Sequence, residues 1–296
     1  SNQVLYYIPR FSMKIFITLL LTSLVNIVIY GQITVKGAAA NQYAGFEPLE
    51  HLDQATLECI YEYTVKDPRL QKTEIYYDIL QVGKRVSKYA AYPAYRVDSV
   101  IYRMDITKIT IGQATAISNQ YEGWKASKYT IVKDHRTKTL SYYDRVFTDR
   151  YVYPDTINIG WKLSGGTKTV CGYACRKATA TFRGRAWTAW YATDIPVNDG
   201  PWKFGGLPGL ILQIEDATGD QHFTAISIRT PTENISMQKR SEPFKTTRKR
   251  FNKQLNDYRS DPGKIMSGSP LAGKTVDGKE IPVPKRQLFH NPIELE

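Results

Sequence analysis

Cysteine and histidine are scarce in this chain, with three and four residues among 296. Cys59, Cys171 and Cys175 permit at most one intrachain disulfide, leaving one thiol. Were Cys171 and Cys175 in one continuous strand, four steps would separate them by roughly 13 Å, beyond bonding reach. That pair requires Gly172 to break the strand, whereas Cys59 could pair with either, and a buried free thiol is the remaining outcome. The C-x₃-C spacing is not the C-x₂-C of redox and zinc sites. His51, His135, His222 and His290 form no H-E-x-x-H or other close ligand pair. No G-x-S-x-G elbow occurs, and Gly166-Thr167-Lys168-Thr169 lacks the earlier glycine of a phosphate-cradling loop. No cofactor and no metal are expected, and no internal repeat is visible.

Long apolar runs are also lacking, with one exception. Met13-Lys14 opens an apolar stretch over residues 15–30 that ends at Gly31-Gln32. A basic start, an apolar run and a small residue define a secretory signal segment over 13–31, with residues 1–12 an upstream extension. The rival reading, a retained anchor, falls short of the about 20 residues a membrane span needs. No cysteine follows the run, so no lipid-anchored N-terminus is expected.

Acidic residues are outnumbered, 28 against 40 Lys and Arg, giving a net charge of +12. Removal of residues 1–31, which carry Arg10 and Lys14 and no acid, leaves +10. Export turns the expected partner away from nucleic acid and toward anionic glycan, lipid or an envelope protein, with membrane contact peripheral at most. Solubility alone is the competing explanation of the charge.

Aromatic residues are plentiful, at 12% with 21 tyrosines, and 42% of the chain is hydrophobic. This composition supports a β-rich globule with one large core or two small ones and excludes wholesale disorder. After a polar lead-in at 32–54, period-two alternation marks strands at 55–66, 74–82, 85–89, 129–133, 139–146 and 150–153. Residues 95–106 repeat Val97, Ile101 and Met104 at helical spacing behind Pro93, which predicts a helix. Residues 109–128 give no clear period, and Gly165-Gly166 reads as a turn.

The segment 182–216 organises the rest. Strand runs at 175–182 and 185–193 flank Arg183-Gly184, a two-residue connection suited to a tight hairpin. Trp187, Ala189 and Tyr191 share one face of the second strand, Ala186, Thr188 and Trp190 the other. A loop with Pro196 and Gly200-Pro201 leads to Gly206-Leu207-Pro208-Gly209-Leu210-Ile211. There, residues 207–210 predict a type II turn, with proline at its second position and glycine at its third. Strands at 210–215 and 222–229 follow across a turn near Gly219. Residues 246–260 place Phe251, Leu255 and Tyr258 on one stripe of a basic helix, which packs on the sheet or contacts an anionic surface. Gly, Pro and Lys dominate the tail beyond it.

Gly172 to Ala178, Arg183-Gly184-Arg185, Ala189-Trp190, Ile195-Pro196, Gly200-Pro201 and Gly206 to Ile211 together resemble the GLPGLI family of exported Bacteroidota proteins. Asn291-Pro292-Ile293-Glu294-Leu295 is similar to that family's ending. The resemblance is specific over about residues 155–230. It implies an exported β-rich protein, with a docked tail and no catalytic set to carry over.

The expected fold is mainly β: a single curved antiparallel sheet, or half-barrel, with one or two helices, one on its concave side. Element order alone makes it similar to lipoprotein-carrier folds. Residues 55–230 form the β-rich domain, and 231–296 a basic helix and tail docked on it. A non-catalytic binding or assembly module for glycan, lipid or peptide would use Trp187, Trp190, Trp202, Lys203 and Phe204, because flat aromatic rings suit sugars, lipids and peptides. Core packing competes for Trp187 and Trp190, whereas Trp202 sits in a polar loop and is expected to be exposed. A hydrolase reading would use Asp194, Asp199, Glu215 and Asp216 as an acid and base set, against their ordinary use as turn formers. A third reading is an accessory domain for a transporter or enzyme.

Overall fold

The computed structural model describes residues 35–239, 242–267, 279 and 288–296. The expected extension and signal segment at 1–31 lie outside the described residues.

The strands are β1 (Leu49–Asp53), β2 (Ala55–Asp67), β3 (Lys72–Gly83), β4 (Val86–Ala91), β5 (Thr130–Asp134), β6 (Thr139–Val146), β7 (Asp149–Thr156), β8 (Lys162–Val170), β9 (Tyr173–Phe182), β10 (Arg185–Ala192), β11 (Leu210–Asp216), β12 (Gln221–Arg229), β13 (Ile235–Gln238) and β14 (Phe244–Lys245). Twelve of them form one open sheet in the order β14-β7-β6-β5-β4-β3-β2-β12-β11-β10-β9-β8, and β1 pairs with β13 in a second, two-stranded sheet. The protein is mainly β, its large sheet is not closed into a barrel, and its helices are few. Among the described residues, the strand pairings are antiparallel except β14 on β7, which is parallel. The open edges are blunted: β14 is two residues long, and β8 carries Lys162, Lys168 and a glycine bulge.

Alternation sets which face becomes the core. Cys59, Tyr61, Tyr63 and Val65 of β2 point into the main cluster, as period two requires. Tyr63 stacks on its cross-strand partner Phe223 with ring centroids 4.1 Å apart. The same cluster takes Tyr142 and Tyr153 from β6 and β7, Trp187 and Tyr191 from β10, and Ile195, Trp202, Phe204 and Leu207 from the loop before β11. That loop turns inward and fills the core face.

The helices are α1 (Tyr92–Ile101), α2 (Ile111–Asn119), α3 (Arg248–Ser260) and α4 (Pro262–Met266). Helix α1 packs Tyr95 on Ile60 and Ile79 from the outer face of β2 and β3. It begins earlier than the predicted 95–106, because Pro93 is tolerated in the first turn. It also ends earlier, where Asp105 accepts the Thr107 amide and hydroxyl at 3.2 and 2.6 Å and turns the chain. Met104, expected on the apolar stripe, is therefore exposed. Helix α3 follows its predicted stripe: Phe251 is buried against Tyr142, Tyr151 and Tyr153, with Leu255 and Tyr258 packed beside it.

Three further expectations change. The described part of 32–54 holds a 3-10 turn at Gly37–Asn41 and strand β1. Gly165-Gly166 is a bulge inside β8, where the register on β9 shifts between Ser164 and Thr167. Residues 207–210 do not form a type II turn, because the Leu210 amide donates across to Ile195 O at 3.0 Å. The Gly209 amide donates instead to Leu207 O at 2.8 Å, a tighter turn centred on Pro208.

Candidate functional site

The hairpin β9–β10 carries the first candidate residues. Arg183 and Gly184 take φ of 52° and 76°, as a two-residue turn matched to strand twist requires. Trp187 points into the core, its indole N–H donating to Phe182 O at 3.1 Å and its ring edge-on to Phe204 at 4.7 Å.

Trp202, Lys203 and Phe204 are all buried, with Trp202 only 2% exposed. This overturns the expected exposure of Trp202. The polar residues around it do not face water: Asp199 and Lys203 form ion pairs inside the protein and draw the loop inward. Lys203 Nζ donates to Glu294 Oε1 at 2.6 Å, Asp155 Oδ2 at 2.9 Å and Tyr153 Oη at 3.2 Å. Its ammonium also lies 5.0 to 5.2 Å from the ring centres of Tyr142, Tyr153 and Trp202, within cation–π range.

The hydrolase candidates do not converge. Asp199 is buried, with Oδ1 accepting from Lys133 Nζ at 2.5 Å and from the Gly200 amide at 2.7 Å, while Oδ2 accepts from Ser87 Oγ. Burial opposes its ionisation, but Lys133, His135 and Ser87 outweigh it and hold its pKa at about 2. Asp216 accepts from Arg185 Nη1 at 2.6 Å, from Thr218 Oγ1 at 2.6 Å and from the Asp220 and Gln221 amides at 2.9 Å. Against burial, these contacts lower its pKa. Asp194 is exposed at a loop, and Glu215 lies on the outer sheet face opposite His222.

Gly206 to Ile211 shape the loop rather than a ligand site. A Cβ on Gly209 would stand 2.2 Å from Ala192 O, so only glycine fits there. Gly205 O accepts from the Trp161 indole at 2.8 Å, and the Gly206 amide donates to Asn198 Oδ1 at 2.5 Å. Leu207, Leu210 and Ile211 are buried. Cys59 and Cys175 are buried and Cys171 half-buried, all three as thiols. Cys171 and Gly172, at φ 50° and 84°, form the β8–β9 turn, so the two nearby cysteines do not share one strand. Among the described residues, no group of three His, Cys, Asp or Glu side chains could hold a metal ion. No helix there is long and apolar enough to cross a membrane.

Of the five binding candidates, Trp190 alone is left partly open. It lies on the outer face, against the Gly166 bulge. Lys168 and Lys177 Nζ stand 5.5 and 5.8 Å from its ring centre. Register continues this position across five strands as Lys177, Trp190, Gln213, Thr224 and Glu62. A neighbouring row on the same face is Thr179, Thr188, Glu215, His222 and Thr64. Gln213 and Thr224 both meet His222 Nε2, at 2.7 and 3.2 Å. At about 4.8 Å per strand, the rows run roughly 19 Å from β9 to β2. This polar breadth was not legible as a site, because each strand contributes only alternate residues to it. The pattern was nevertheless present as Trp190 among threonines and lysines on the outward positions.

A family model described as "Protein of unknown function (Porph_ging)" matches residues 183–213, from the hairpin turn to the middle of β11. No curated protein matches the chain in sequence. Among solved structures, PNGF-II in one crystal form is 14% identical with a TM-score of 0.48, over 69% of this chain and 34% of that one. A second crystal form gives 13%, 0.44, 69% and 33%, so the chain spans about a third of the length of PNGF-II. A LolA superfamily protein, NE2245 from Nitrosomonas europaea, is 8% identical with a TM-score of 0.25, over 62% of this chain and 89% of that one. These are partial overlaps of backbone from which nothing about ligand or chemistry follows.

Proposed function

We propose that this protein is an exported, non-catalytic module of the GLPGLI type that binds acidic glycan on the outer face of β9–β12 and β2. Export is supported by the apolar run behind Met13-Lys14 and by the absence of any other long apolar stretch in the sequence. The observation that carries the reading is the half-open Trp190 ring with Lys168 and Lys177 beside it and a row of polar side chains leading away. A flat aromatic face suits the apolar side of a sugar ring. An acidic sugar seated there displaces an ammonium from the ring face and pairs with it. His222, held by the buried Gln213, and Thr224 then offer hydrogen bonds to hydroxyls of the next residues along the polymer. The net charge, +12 for the whole sequence and +10 without residues 1–31, adds long-range attraction for a polyanion.

Polygalacturonate titrated into the protein, followed by tryptophan emission, tests this. The wild type is expected to respond saturably, and Trp190→Ala to lose the response while keeping its far-UV circular dichroism. A response identical in Trp190→Ala, or none in the wild type, overturns the proposal.

A further inference from the structure

Residues 288–296 lie in a groove that addresses them group by group. The carbonyls of His290, Asn291, Pro292 and Ile293 each accept a hydrogen bond from a side chain. The donors are Arg69 at 2.6 Å, Gln221 at 3.0 Å, and Arg185 at 2.7 and 3.1 Å. The Asn291 amide group is read at both atoms, with Oδ1 accepting from Arg185 at 2.7 Å and Nδ2 donating to Lys66 O at 2.6 Å. Pro292 has no N–H to satisfy, and Ile293 is buried. Glu294 accepts from Lys203 at 2.6 Å on one oxygen and from Arg248 and Asn252, each at 3.2 Å, on the other. The Leu295 amide donates to Arg183 O at 2.9 Å, and a Cβ on Gly184 would meet Leu295 Cβ at 2.8 Å.

The receptor side is charged, and two of its cations are buried. Arg185 is 6% exposed and Lys203 is 2% exposed, and their carboxylate partners outside the segment are Asp216 and Asp155. Arg183 and Arg248 add two more cations facing Glu294, at 3.8 and 3.2 Å. Without the segment, and besides the Arg69–Asp67 pair, these four cations would face two carboxylates, with Arg185 and Lys203 the most deeply set. Buried charge without a partner is costly, so the groove selects an acidic occupant.

The geometry points to a peptide-recognition site for Asn-Pro-Ile-Glu segments, of which residues 288–296 are the occupant seen here. The site reads backbone carbonyls, one amide, one apolar side chain and one carboxylate. It therefore accepts the same sequence supplied as a separate peptide once the resident segment is disabled. In the intact chain the resident segment wins because tethering gives it a high effective concentration.

The experiment uses the full chain carrying Ile293→Asp, which disables the resident segment, and a fluorescein-labelled peptide of residues 288–296 read by anisotropy. Saturable binding is expected, at least tenfold tighter than to the wild-type chain, and at least tenfold weaker when the peptide carries Glu294→Lys. A folded Ile293→Asp chain that does not bind the peptide overturns the inference, as does equal binding of the Glu294→Lys peptide. Should Ile293→Asp lose its β-sheet signal, recovery of that signal with the wild-type peptide alone supports the site, and no recovery refutes it.

Discussion

Gly209 shows how narrowly one residue can be constrained. Any side chain there would press on Ala192 O at 2.2 Å, and backbone atoms cannot step aside as a flexible side chain can. Gly209→Ala is expected to lower stability in the upper part of the ~0.5–3 kcal/mol range of single substitutions, read by urea denaturation. Gly205→Ala, whose Cβ would stand 3.3 Å from Asn198 O, should cost less. Asp199 gives a pH-dependent counterpart. Its folded pKa of about 2 lies below its ordinary value of 3.8, so its contribution is complete above about pH 4. That contribution is lost as pH falls toward 2. Asp67, Glu74, Asp216 and Asp53 are shifted the same way, so the slope is shared among several carboxylates. Asp199→Asn should therefore flatten, without abolishing, the loss of stability between pH 4 and 2, as followed by chemical denaturation at each pH. At neutral pH it should cost about 3–5 kcal/mol, because Lys133 keeps a buried charge without its anion. The hairpin turn at Arg183-Gly184 was legible from the residues alone, since positive φ is a local demand. The burial of Trp202 was not. It depends on Lys203 meeting Asp155 and Glu294, partners 48 and 91 positions away.

At the level of elements, helix α3 is held by its stripe more than by its sequence propensity. Phe251→Ala should cost about 3–5 kcal/mol and expose Tyr142 and Tyr153, detectable as a lower melting temperature and altered near-UV dichroism. Lys253→Ala, whose ion pair with Asp257 is exposed, should change little. The stripe was readable because Phe251, Leu255 and Tyr258 recur at helical spacing. Helix α2 was missed although its signal was present. Thr110 and Gln113 form a reciprocal capping box, Gln113 N donating to Thr110 Oγ1 at 3.2 Å and Thr110 N to Gln113 Oε1 at 2.9 Å. Its weak apolar period hid it. In β8 the reverse happened, since Gly165-Gly166 suggested a turn where pairing with β9 carries the strand through a bulge. Glycine permits both, and the partner strand decides.

For the whole molecule, most strands were visible as alternation, but their order was not. β2 lies between β3, its neighbour in sequence, and β12, which begins more than 150 residues later. Only that non-local pairing joins Glu62 to the row of Trp190, so the outer face exists at the scale of the sheet and not of any motif. The same sheet and the loop before β11 place Lys66, Arg185 and Lys203 around residues 288–296. One face thus receives a segment of the chain itself, and the other carries helix α1 and the partly exposed row beside Trp190. Reversing the two charges beside Trp190 tests the account most directly. Calorimetric titration of polygalacturonate into Lys168→Glu/Lys177→Glu should show at least tenfold weaker binding than the wild type, with both proteins melting at similar temperatures. Equal affinity of the two for the acidic polymer would contradict it.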